Sequence, residues 1–126
     1  MSITQIESKY FSTLSDIQAS TDTTDTVGDF ARVWNTVSAD VPASVQPVRM
    51  TEAKILIQGK EYTLDMKAYI PSRIEPAPLP GQRFIDKETG LVYDIVSVLK
   101  FQASRVDIAI GHHYKLLLQI TRSEHG

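Results

Sequence analysis

The sequence predicts an all-β (mainly β) fold: a small antiparallel β-barrel or sandwich of about six strands, with an N-terminal helix or arm and a short helical loop. Three observations predict it. Pro80–Phe101 reads as a Pro-Gly turn, a short strand Arg83–Asp86, the turn Lys87-Glu88-Thr89-Gly90 and a long strand Leu91–Phe101. Gly90 supplies the positive φ that such a hairpin turn needs. Several other stretches alternate polar and apolar residues between turn signals, which gives strands with one buried and one wet face. The chain has 126 residues, 42% of them hydrophobic, which suits one domain with a real core.

Taken in order, Ile3, Ile6, Tyr10, Leu14 and Ile17 are spaced three, four, four and three apart and line one face of a helix. An arm that orders on a partner is the alternative for this segment. Ala19–Asp29 is small, polar and poor in apolar side chains, so it reads as a linker or extended arm. The expected organisation is therefore an arm over residues 1–29, a β-domain over 30–122 and a tail over 123–126.

Ala31, Val33, Val37, Ala39 and Val41 share one strand parity, with Arg32, Trp34, Thr36, Ser38 and Asp40 on the other. Pro42 marks a bulge, edge or bend, and Ala43–Val48 continues as an extended piece. Thr51–Gly59 suggests a short helical loop, with Thr51 as N-cap and Gly59 just past the end. The β-branched Ile55 and Ile57 make a strand the alternative. Glu61–Ile70 alternates cleanly. Pro71, Pro76, Pro78 and Pro80 then stiffen a crossing loop. After the hairpin, Arg105–Ile110 and His113–Arg122 are two further strands, with Tyr114, Leu116, Leu118 and Ile120 facing inward.

Charge and composition narrow the function classes. A net charge of −2 offers no broad positive field for nucleic acid or an anionic membrane. The chain has no cysteine, which excludes disulfides and thiolate metal sites and fits synthesis in a reducing cytoplasm. The first residues do not read as a secretory signal, and no apolar run reaches membrane-spanning length.

Catalytic motifs are missing: there is no GxSxG, P-loop, HExxH or dinucleotide fingerprint. His112-His113, even with Asp107 nearby, lacks diagnostic metal spacing, because neighbours on a strand face opposite ways. Asp86, Asp94 and Asp107 read as strand-end and turn residues rather than an acid–base pair. Arg73, Arg83, Lys100 and Arg105 with Tyr69, Tyr93 and Phe101 could form a basic, aromatic surface for single strands, but acidic residues interleave with them. Trp34 lies on the polar parity of its strand. It is either an exposed contact anchor or a sign that both sheet faces are covered there.

The ordered elements resemble the head-closure family of long-tailed bacteriophages, also called head–tail joining or stopper proteins. The likeness rests on Thr24–Gly28 leading into Val33-Trp34-Asn35-Thr36-Val37, on Ala43–Val48, on the glycine-bearing segment Met50–Lys60 leading into Tyr62–Ile70, and on Pro80–Asp86 with Gly90–Ile95 and the last strand. It covers about residues 22–122. What the resemblance implies is a β-barrel that assembles as a homo-oligomeric ring in the virion neck. Portal and adaptor proteins lie above it and tail proteins below. The ring retains packaged double-stranded DNA without reading its sequence, and uses no catalysis, cofactor, metal or membrane. The family's channel plug would fall here on Arg49-Met50-Thr51-Glu52-Ala53-Lys54-Ile55-Leu56-Ile57-Gln58-Gly59-Lys60. Candidate subunit contacts are Trp34 and the stripe Ile3, Ile6, Tyr10, Leu14 and Ile17, since the extension Ser2–Ser20 exceeds the family's usual length. Two alternatives are a tail-completion or tail-terminator ring protein and a small barrel that binds single-stranded nucleic acid.

Overall fold

The computed structural model describes residues 11–24, 28, 30–101 and 113–121. Eight strands follow in chain order: β1 (Thr13–Thr24), β2 (Phe30–Pro47), β3 (Lys54–Ile57), β4 (Lys60–Thr63), β5 (Met66–Pro71), β6 (Arg83–Asp86), β7 (Val92–Phe101) and β8 (His113–Ile120), with a 3-10 turn at Met50–Glu52. Six of them close into a barrel in the order β1-β2-β5-β8-β7-β6, and β3 and β4 form a separate two-stranded sheet. Every pairing is antiparallel. Closure leaves the wall without a free edge, as a small barrel requires.

The interior is filled by inward-facing residues of one parity from each strand. Ile17, Ile70, Phe84, Ile95, Leu116 and Leu118 are almost wholly excluded from water. The hairpin of β6 and β7 forms as its sequence predicts. Asp86 organises the turn: its Oδ1 accepts hydrogen bonds from the Glu88 and Thr89 amides, and its carbonyl accepts one from Gly90 N at 2.7 Å. Gly90 takes φ +78°, the left-handed value that the turn demands.

The structure corrects the expected N-terminus. Leu14 and Ile17 belong to a strand, not a helix, and the first part of the expected linker, Ala19–Thr24, forms the rest of β1. Phe11, Ser15 and Ile17 are buried while Leu14 is 50% exposed, so the period is two. A spacing of three places Leu14 and Ile17 on opposite faces of a strand. Pairing on both sides decides the outcome: β1 bonds β2 along its length and β6 from Ser15 to Gln18. The barrel therefore begins at Thr13 rather than at residue 30. Ile3, Ile6 and Tyr10, the strand expected over Arg105–Ile110, His112 and the tail over 123–126 lie outside the described residues.

Three smaller corrections follow. The stretches expected as a strand to Val41 and a separate extended piece are one strand, β2. Its register against β1 shifts twice, between Ser15 and Ile17 and between Ile17 and Gln18, each shift inserting a residue into β2. Asp40 adopts φ +53° at the first bulge, a conformation that Asp tolerates better than most residues. The expected helical loop is a 3-10 turn followed by a β-hairpin. Gln58 and Gly59 have φ +52° and +80°, the double positive φ of a two-residue hairpin turn, and the β-branched Ile55 and Ile57 favour the extended form. The expected single strand Glu61–Ile70 is divided, because the chain changes partner. Leu64 N still bonds Ala53 O at 2.7 Å, whereas Asp65 N bonds Leu118 O at 2.9 Å.

Candidate functional site

Two ribbons leave the barrel from opposite ends. From Ala19 to Thr24, strand β1 pairs only with β2, because its pairing with β6 stops at Gln18. β2 in turn meets β5 only from Ser44 to Pro47. Among the described residues neither edge of the first ribbon meets a further strand, and its exposed side chains include Ser20, Thr21, Asp22, Arg32 and Val33. The second ribbon is the β3–β4 hairpin, inserted between the end of β2 and the start of β5 at the other end of the barrel. Leu56 at its edge is 70% exposed, and Met50 in the turn before it is 95% exposed.

Trp34 sits near the root of the first ribbon. It is half-buried and outside the core, with the Arg83 guanidinium 3.9 Å from the centre of its ring. This arrangement is a cation–π stack between β2 and β6 across the intervening β1. Trp34 is therefore neither an interior residue nor a fully exposed anchor.

Between the ribbons, the seam that closes the barrel is held by polar contacts. The Ser15 hydroxyl, fully buried, donates to Val41 O at 3.0 Å. Asp16 Oδ1 accepts from the Asp40 amide at 3.0 Å. Lys87, from the β6–β7 turn, pairs with Asp40 and lies 3.8 Å from Asp16. The hydrogen bond to Asp40 and the charge of the two carboxylates raise the Lys87 pKa. Lys87 N also bonds Leu14 O at 3.0 Å, and Thr13 Oγ1 donates to Glu88 at 3.2 Å.

The end of the barrel beside the β3–β4 hairpin opens into a cavity of about 550 Å³. Val45, Met66, Tyr93, Leu91 and Ile120 line it with apolar surface, and Leu91 and Ile120 remain 46% and 44% exposed. Asp65, Asp86 and Glu88 add carboxylates, and no lysine or arginine lines it among the described residues. Asp65 Oδ2 accepts from Ile120 N at 2.8 Å, which fixes it at the mouth. Burial raises the Tyr93 pKa, with Asp86 and Asp65 adding to the effect by charge.

A second cleft, of about 360 Å³, lies on the outer wall between Phe11, Ser44, Gln46, Arg49, Lys67, Tyr69 and His113. The rings of Tyr69 and His113 meet edge to face at 5.6 Å.

The basic, aromatic surface considered from sequence is not one surface. Tyr93 lies in the interior, Arg83 is committed to Trp34, and Lys100 sits over Tyr114 at 5.9 Å. Asp86 and Asp94 serve the β6–β7 turn and a hydrogen bond from Thr121. Arg105, Asp107 and His112 fall outside the described residues. Among the candidate contacts, Ile17 is core and Leu14 is on the outer wall. The mouth itself escaped sequence reading. Its residues come from all six barrel strands and the β6–β7 turn, and only the ordinary alternation of each strand signals their common direction.

Compared with known proteins, the chain matches no family model and no curated sequence.

Proposed function

We propose that this chain is a structural virion protein: a head-closure subunit of the neck, which forms a ring below the portal and adaptor, retains packaged DNA and docks the tail. The observation that carries the reading is a closed barrel with ribbons projecting from opposite ends. A ring built from one subunit needs two different contact elements on a rigid body, because each copy meets its neighbours through dissimilar faces. The ribbons supply such elements, and the barrel supplies the rigid wall. A near-neutral charge of −2 also suits a conduit that must not grip phosphate. The sequence resemblance supplies the virion context.

The test is electron microscopy of assembled particles carrying a tagged copy of the chain. Density in a ring directly below the portal is expected. Density at the tail tip or in the shell overturns the reading, and a place at the top of the tail tube turns it into tail completion. Tight, salt-dependent binding of single-stranded DNA by the purified chain would favour a nucleic-acid-binding barrel instead.

A further inference from the structure

We infer that the β3–β4 hairpin of one copy seats in the acidic mouth of the next copy's barrel. The two surfaces match in exposed apolar residues and in the sign of their charge. The hairpin and the turn before it present Leu56 and Met50, 70% and 95% exposed. Over residues 49–63 three bases, Arg49, Lys54 and Lys60, stand against two acids, Glu52 and Glu61, and Lys54 lies 3.5 Å from Glu61 within the hairpin, so the positive charge nearest the turn is that of Lys60. The mouth offers a partly exposed apolar floor at Leu91 and Ile120, surrounded by Asp65, Asp86 and Glu88. A leucine entering this cavity would cover apolar surface on both sides. Lys60, beside the hairpin turn, would meet carboxylates that a low-dielectric contact makes more effective.

The hairpin is suited to such a reach. Its ladder, Lys54↔Thr63 to Ile57↔Lys60, is self-contained, so it holds its shape without adding to the barrel sheet. It also does not line its own mouth among the described residues. The contact joins unlike surfaces and therefore leads from copy to copy, closing a ring if the rotation closes. This inference rests on the ring reading only in requiring a second copy. It makes the segment 49–60 a clasp between subunits, which differs from the axial plug that the family resemblance implies.

The absence of native cysteine makes the test direct. Full-length Leu56→Cys and Leu91→Cys variants, both altered at exposed positions, are mixed under mild oxidation. Leu56→Cys mixed with Leu79→Cys, in the loop at the far end of the barrel, sets the background. Mixed Leu56–Leu91 dimers are expected at least tenfold faster than background. Adding Lys60→Glu to the first chain should abolish that excess, and adding Glu88→Lys to the second should restore it. A mixed rate no greater than background overturns the clasp. So does faster Leu56–Leu56 linkage, the signature of tips meeting on an axis. The two readings fail separately. A ring in the neck with background cross-linking removes the clasp alone, whereas specific cross-linking by a chain located elsewhere in the particle removes the neck reading alone.

Discussion

The β6–β7 hairpin and the β1–β2 pair are built from the same kind of ladder, yet they are held in different ways. The short hairpin carries its own instructions: alternating Phe84 and Asp86 inward, an Asp86-organised turn, and Gly90 where positive φ is needed. The β1–β2 pair carries few. Its first strand, TLSDIQASTDTT, has two large apolar residues, and they face opposite ways. What holds it is tertiary: β6 on one side, Lys87 reaching across to Asp40 and Asp16, and the buried hydroxyl of Ser15. Local chemistry specifies the first pair, and the barrel's need for a closing strand specifies the second.

The comparison can be broken first at the core. Phe84→Ala removes a wholly buried ring from the hairpin and should cost about 3–5 kcal/mol in urea unfolding. A loss below about 1 kcal/mol would mean that the hairpin is not a central prop of the barrel. Asp86→Ala leaves the Glu88 and Thr89 amides without their acceptor and should cost about 1–3 kcal/mol. Replacement of Thr21–Val33 by Asn-Gly tests the ribbon. It removes pairing that touches no other strand among the described residues, so the unfolding free energy should stay within about 1 kcal/mol of the parent. A collapse of stability would show that the ribbon is part of the folding unit.

The smallest effect is expected from pH. Tyr93 has a pKa raised above 10.0 by burial and by Asp86 and Asp65. The folded state therefore holds that proton more tightly than the unfolded chain does. The resulting stability is fully present below about pH 10 and fades as pH rises through the folded pKa. Lys87, raised above 10.5, acts in the same direction at the seam. Melting temperature should fall in the alkaline range, and Tyr93→Phe should flatten part of that fall. An unchanged slope in Tyr93→Phe would remove Tyr93 from the account.

Much of the wall was legible in the sequence for the reason that separates these two regions. Glu61–Ile70 and His113–Arg122 alternate over most of their length, and Tyr114, Leu116 and Leu118 are buried as that alternation predicts, although Leu117 on the other parity is buried as well. Ile120 shares their parity but sits at the open mouth, 44% exposed. Periodicity gives direction but not depth along the barrel. The first strand was illegible because a helical spacing of apolar residues coincided with a strand whose second partner, β6, lies about 70 residues away. The Gln58-Gly59 turn was legible in principle, but its dipeptide resembles a helix end as readily as a hairpin tip. The candidate docking mouth had no linear signature, since closure alone brings Asp65, Asp86 and Ile120 together.

One consequence belongs to the two extra residues in β2. That strand is continuous from the outlying ribbon into the cylinder, so any tug on the outer half is delivered along a single backbone. Unmatched residues in a ladder are where bending is easiest. The stretch Val37–Asp40 is thus where the strand bends most readily, held at Asp40 by Lys87 and Asp16 and, just beyond it, by the stack of Trp34 on Arg83. A flexion there would swing the outer limb while the hydrogen-bonded wall beneath keeps its shape.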